Sequence, residues 1–430
     1  MKKELIIYGL AIGINRGAVL ILMPFLVSVL STADFGLFNY AQLLFQLAAP
    51  ILSLNIIVSI AREGADDPKR GLFVYKKFFL PLLVVALLIA TCFHLFVNIE
   101  DAYIYTFALV LAGFESWHNM QLNVFRAFEK NWKFFLFSVL KTIGLGLLFG
   151  ALYLYDNQAP LEYYLALQCS WFFVLAVVFH TVIIKESEEN ASLSLLEAAK
   201  FSMVLIPHSL SLWLIASSGR FFIKEMYGAF ELGVFSKFFN VAMILMVINS
   251  GLGVVLPQRI IRDYDKWSTY LYRRNFIVNY SLAGLAMFLF LTAGIVIDSL
   301  FIHIIDIDYS KYGFSFTLIF SGFFLLGFYY VYSNILFSLR KNKTLALVTL
   351  TTATFSIAIN FIMVKNYALF GAAGSVAITY GVYWLCTFVM ASKHEVSIKQ
   401  SIWKEIGLVI LFLSSLYPIY LCTLYALQFL

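Results

Sequence analysis

The long apolar stretches of this chain are interrupted by few ionisable side chains, and those few are of types that bind anions or move protons. Arg16 stands about eleven residues into the first stretch, roughly 16 Å deep at 1.5 Å per residue. It shares a helix face with Gly9, Gly13 and Gly17, a doubled G-x-x-x-G pattern that lets a neighbouring backbone approach closely. A guanidinium at that depth could fork to the oxygens of a phosphate, or serve only as one half of a structural ion pair. Glu115 and Lys141 fall on consecutive antiparallel stretches at depths differing by only about 4–5 Å, which long side chains can bridge. His118, three residues beyond Glu115, lies on the same helix face. A carboxylate and an imidazole together in a wet cavity could take up and release a proton, whereas Glu115 and Lys141 by themselves would be a buried structural pair.

Two further cations, Arg220 and Lys237, lie toward the other ends of their stretches. If both face inward they extend a basic track from Arg16; otherwise they snorkel to the interface. Asp34 and Glu231 occupy matched positions in the two halves of the chain and could gate its outer mouth, or could be solvated loop carboxylates. Pro24, Pro50, Pro207 and Pro257 punctuate the first, second, seventh and eighth stretches, as bends in moving helices or as static kinks. No phosphate-binding loop, zinc motif or paired-cysteine spacing occurs in the chain, so neither a cofactor nor a metal is expected.

The elements that must position these residues follow from composition. Of 430 residues 62% are hydrophobic and 13% are charged, and mean hydropathy is +0.87. Such a chain cannot cover itself with a polar surface, which excludes a soluble enzyme, a disordered chain and a secreted disulfide scaffold. Apolar runs predict thirteen spans, near 5–30, 36–61, 77–98, 102–125, 134–154, 161–184, 201–222, 232–257, 275–302, 313–338, 344–364, 369–391 and 405–428. With the N-terminus in the cytoplasm, most of the 30 basic residues fall on the cytoplasmic side, and the loops opposite hold only Lys224, Lys311 and Lys365. The connecting loops are too short to house a soluble catalytic domain.

An internal repeat runs through this pattern. Asp34-Phe35-Gly36-Leu37-Phe38 opens the second span as Glu231-Leu232-Gly233-Val234-Phe235 opens the eighth. The stretch 123–131, beginning Asn123-Val124-Phe125-Arg126, closes the fourth span as 334–342, beginning Asn334-Ile335-Leu336-Phe337, closes the tenth. Both matches pair helices of the same direction, six spans apart. The expected fold is therefore an all-α polytopic membrane protein, two parallel six-helix repeats forming a two-lobed bundle plus a thirteenth helix. The expected lobes are 1–195 and 196–395, with 396–430 appended.

The chain resembles the polysaccharide (O-antigen) flippases of the MATE-like superfamily. The resemblance is carried by Asp34-Phe35-Gly36-Leu37-Phe38-Asn39-Tyr40, by Ser218-Gly219-Arg220 with Glu231-Leu232-Gly233-Val234-Phe235-Ser236, and by Phe370-Gly371-Ala372-Ala373-Gly374-Ser375. It implies two lobes around a cationic cavity that move an undecaprenyl-diphosphate-linked oligosaccharide from the cytoplasmic to the periplasmic leaflet, without covalent chemistry. Arg16, Lys141, Arg220 and Lys237 would bind that substrate, and Glu115 and His118 would couple transport to protons or sodium. Membrane lipids and other polysaccharide assembly proteins would be partners, nucleic acid would not, and the protein would sit in the bacterial inner membrane with its C-terminus periplasmic. The chain departs from the family in its thirteenth span and in Gly219, where relatives often carry an acid. Three alternatives share some of these features. A cation-coupled drug exporter of the same superfamily would want net acid in its cavity, a major-facilitator transporter a second basic loop cluster, and a polysaccharide polymerase a large extracytoplasmic loop.

Overall fold

The computed structural model describes residues 22–97, 101–156, 158–185, 194–303, 305 and 308–427, and among them every regular element is helical. Residues 22–29 are helical and are followed by α1 (Thr32–Leu52), α2 (Ile57–Asp66), α3 (Pro68–Phe96), α4 (Ala102–Ala127), α5 (Asn131–Tyr155), α6 (Leu161–Ile183) and α7 (Leu195–Met203). Then come α8 (Ile206–Tyr227), α9 (Ala229–Arg262), the single turn α10 (Tyr264–Trp267), α11 (Tyr270–Ile297), α12 (Tyr309–Ser338), α13 (Asn342–His394) and α14 (Val396–Leu427). Ten helices among the described residues are long and apolar enough to cross a bilayer. The protein is a multi-pass membrane protein.

The chain forms two compact units, residues 29–213 and residues 22–28 with 214–427. In the first unit α4 is the central helix, packed on α1, α3, α5 and α6. It also carries polar side chains into the interior: Trp117, His118 and Gln121 are all buried on it. Polar groups inside a bundle need partners. Trp117 Nε1 and Gln121 Nε2 both donate to the Tyr75 hydroxyl, at 3.0 and 3.1 Å, and that hydroxyl meets His180 Nδ1 at 2.7 Å. The expected second span is broken. Its first part, α1, starts at the cap Ser31, whose Oγ accepts from the Asp34 backbone N–H at 3.1 Å. It stops at 53–56, where Leu54 and Asn55 take left-handed φ of 50° and 53°. The remainder, α2, is fastened to α7 by Ser59 Oγ, 2.6 Å from both Ala198 O and Ser202 Oγ.

In the second unit α12 is the hub, buried along most of its length and packed against α9, α13 and α14. The run α13 is two antiparallel arms that reverse at Ala368 (φ 47°, ψ −129°). A straight helix would hold Asn360 and Ser375 about 22 Å apart; instead Ser375 Oγ donates to Asn360 Oδ1, and Thr349 Oγ1 lies 3.0 Å from the Tyr383 hydroxyl. The arms correspond to the spans expected near 344–364 and 369–391. The last helix buries Ile398, Ser401, Glu405, Val409, Phe412 and Leu416, a stripe at three- and four-residue spacing against α11, α12 and α13.

The two stretches matched at 123–131 and 334–342 end their helices identically. Lys130 N bonds to Phe125 O and Glu129 N to Arg126 O; Lys341 N bonds to Leu336 O and Arg340 N to Phe337 O. Glu129 (φ 53°) and Arg340 (φ 58°) take the left-handed position of this Schellman closure.

Candidate functional site

In the first unit the closure after α4 turns the chain straight into α5, which sets Glu115 and Lys141 level. Lys141 Nζ lies 2.6 Å from Glu115 Oε1, and Asn119 Nδ2 donates to the same oxygen at 3.1 Å. The ammonium also stands 4.9 Å over the Phe172 ring of α6, while Trp171 Nε1 holds the Lys141 carbonyl at 3.1 Å. His118, one turn on from Glu115, packs its ring 5.1 Å from that of Phe179. Five buried polar atoms here find no hydrogen-bond partner among the described residues: Glu115 Oε2, both His118 ring nitrogens, Ser138 Oγ and Thr142 Oγ1. Ser138 and Thr142 flank Lys141 on one face of α5. Buried polar atoms are normally satisfied, so this cluster can accept a proton or a small polar guest at little structural cost. Its cation is already neutralised by Glu115.

Arg220, in the second unit, is in a different situation. Its guanidinium lies 4.3 Å over the Phe239 ring of α9, and Nη2 donates to Ser217 Oγ at 3.3 Å. Nε is enclosed and finds no partner among the described residues. No carboxylate among the described residues pairs with it. The neighbouring Gly219 explains why an acid does not precede this arginine. A Cβ there would come within 2.5 Å of Asn360 Oδ1. Asn360 is itself fixed, donating to Ser218 Oγ and Ser356 Oγ at 3.1 Å each.

Lys237 is buried on α9, within a fully buried run from Phe235 to Asn240. Asp34 and Glu231 both occupy the first turn of their helices, where the positive end of the helix dipole favours a carboxylate. Asp34 also accepts from Ser31 Oγ at 2.6 Å. Arg16 and its glycine face lie outside the described residues.

One charged network escapes the sequence reading. Arg273, assigned there to a loop, lies inside α11 and is fully buried. Its Nη2 meets Glu405 Oε1 of α14 at 2.9 Å, and both side chains are 0% exposed. Nη1 donates to Trp267 O, Ser268 O and Ser397 Oγ at 2.9, 2.8 and 3.1 Å, and the Tyr332 hydroxyl donates to Glu405 Oε2. Such complete satisfaction is what a buried ion pair requires to be tolerated. The available signal was Ser397, Ser401 and Glu405, polar residues four apart at the head of an apolar helix.

Residues 1–258 match the family described as polysaccharide biosynthesis protein. A protein of the Lsg locus of Haemophilus influenzae is 23% identical over 412 residues, covering 90% of this chain and 98% of its own. Among solved structures, an inward-facing multidrug resistance MATE family transporter of the MOP superfamily superposes with a TM-score of 0.66 at 15% identity, over 92% of this chain and 96% of that one. The outward-facing form gives 0.59 at 15% identity, over 93% and 97%. A MOP superfamily transporter from Pyrococcus furiosus, described as having a binding pocket of reverse polarity that suggests a different function, gives 0.55 at 14% identity over 93% and 96%. Its fold is thus that of the MATE transporters, and with a family match over more than half its length the chain belongs to the polysaccharide biosynthesis protein family.

Proposed function

We propose that the protein is a flippase that moves a lipid-linked, diphosphate-bearing oligosaccharide across the bacterial cytoplasmic membrane by alternating access. The observation that carries this reading is Arg220: an arginine within a membrane-spanning helix, resting on an aromatic ring, with no carboxylate among the described residues to neutralise it. Leaving a guanidinium uncompensated in such a place is costly unless an anion visits it. The fork of its N–H groups suits phosphate oxygens. A drug exporter handling cations would place an acid there instead. Membership of a polysaccharide biosynthesis family supports a glycan-bearing cargo. The lipid tail stays in the bilayer while the diphosphate and glycan cross.

In this reading Arg16 and Lys141 meet the diphosphate on the cytoplasmic side, Arg220 and Lys237 meet it beyond, and Asp34 and Glu231 act at the outer mouth. Lys141 can do so only when Glu115 releases it. Protonation of Glu115, with His118 as its neighbour, frees the ammonium for the anion and so links proton uptake to loading. The test is complementation of surface polysaccharide in cells lacking the protein, read beside membrane abundance. Arg220→Ala should abolish it and Arg220→Lys should retain part, because the charge survives and the fork does not. Full activity of Arg220→Ala at normal abundance would remove the main support for the reading.

A further inference from the structure

The clamp between Arg273 and Glu405 has a consequence for the next residue. With Arg273 turned inward, Arg274 is carried about 100° round α11 and stands exposed. Asn275, Val278 and Asn279 are exposed on the same side. These four side chains and Leu408 of α14 line an open groove of about 460 Å³, within the roughly 300–1,000 Å³ typical of small-molecule sites.

The lining is unusual for the outer face of a membrane helix. Arg274 makes one weak hydrogen bond, to Asn275 Oδ1 at 3.5 Å, and Asn279 makes none among the described residues. An amide facing hydrocarbon without a partner costs free energy, and here two asparagines and an arginine are gathered together. A second cation stands at the groove's end. Lys404, one turn before Leu408, places Nζ 5.7 Å over the ring of Tyr270, itself one turn before Arg274. The nearby carboxylates are occupied: Glu405 by Arg273, and Glu395 by the Tyr264 hydroxyl at 2.5 Å. Trp403 is 80% exposed beside Lys404, as befits an aromatic at a headgroup boundary. One turn further along each helix the exposed surface turns apolar, with Leu282 and Leu411.

We infer that the groove between α11 and α14 is a binding site for an anionic phospholipid. The headgroup phosphate sits between Arg274 and Lys404, its remaining polar atoms satisfy Asn275 and Asn279, and an acyl chain descends over Val278, Leu282 and Leu411. Basic pockets between membrane helices recognise anionic headgroups in this way. The bound lipid would act as a seal along the seam between the last helix and α11, a role independent of the transported cargo.

The full chain, purified with a mixture of phosphatidylglycerol and phosphatidylcholine, can be examined by native mass spectrometry. Phosphatidylglycerol should be retained at least fivefold in preference to phosphatidylcholine, and Arg274→Gln with Lys404→Gln should abolish the preference. Both side chains are exposed, so folding should be unaffected. Asn279→Leu, which suits hydrocarbon, should weaken retention on its own, and Lys311→Gln, far along the chain, should leave it unchanged. Equal retention by the double variant would overturn the assignment. So would displacement of the lipid by millimolar inorganic phosphate, which would mark a free-anion site. Loss of polysaccharide transport in the double variant with phosphatidylglycerol retention intact would also overturn it, by assigning these cations to the cargo.

Discussion

Lys141 and Arg220 carry the same charge in helices of similar character, yet their neighbours give them different roles. Lys141 is 2.6 Å from a carboxylate, whereas Arg220 has a serine hydroxyl and the Phe239 ring. Lys141→Met should therefore strand Glu115 and lower unfolding stability by about 3–5 kcal/mol, and adding Glu115→Gln should recover most of it. Thermal unfolding of the purified variants checks this. Glu115→Gln by itself distinguishes coupling from structure. At normal abundance it should make transport insensitive to an imposed pH gradient; disappearance from the membrane would instead favour the purely structural pair. Arg273→Met should cost about 3–5 kcal/mol and, unlike Arg220→Ala, should act through abundance. The pairing of Glu115 with Lys141 was legible in the sequence because depth can be counted from helix ends. That of Arg273 with Glu405 was not, because α11 begins at Tyr270, five residues before the expected boundary, and turns a loop cation into a core one.

At the scale of elements, hydropathy located the apolar stretches well, since a run of some twenty apolar residues has few other uses. It did not disclose how they are interrupted. Although Gly371 just past the reversal is required because a Cβ there would overlap Met363 O, the left-handed positions Ala368, Leu54 and Asn55 are themselves neither glycine nor proline. Packing holds these residues in conformations their own sterics oppose, at a cost of about 1–2 kcal/mol each. Ala368→Gly should accordingly raise unfolding stability by about 1 kcal/mol, read as a higher Tm in detergent. Arg340→Gly and Glu129→Gly should act alike and by similar amounts, because both close the same Schellman motif. Unequal effects would argue against treating the two helix ends as counterparts.

For the whole molecule, composition declared a membrane protein at once, and charge distribution supplied an orientation that labelling can check. In a background without Cys92, Cys169, Cys386 and Cys422, a cysteine at Asn366 should react with an impermeant reagent added outside intact cells. Cysteines at Asp67 and Lys266 should not. Asn157, expected to react like Asn366, lies outside the described residues. What no sequence pattern conveys is which intramembrane cation lacks a carboxylate partner among the described residues, because that depends on side chains brought from α9 and α13 to α8. The central claim, passage of an anionic lipid-linked glycan past Arg220, is most directly tested in proteoliposomes loaded with undecaprenyl-diphosphate-linked oligosaccharide on the inner leaflet. The measurement is the time course with which the glycan becomes open to an impermeant oxidant outside. The wild-type chain should speed exposure well above protein-free vesicles, and Arg220→Ala should return it to that background. Exposure no faster than in protein-free vesicles, or an Arg220→Ala rate equal to wild type, would contradict the account.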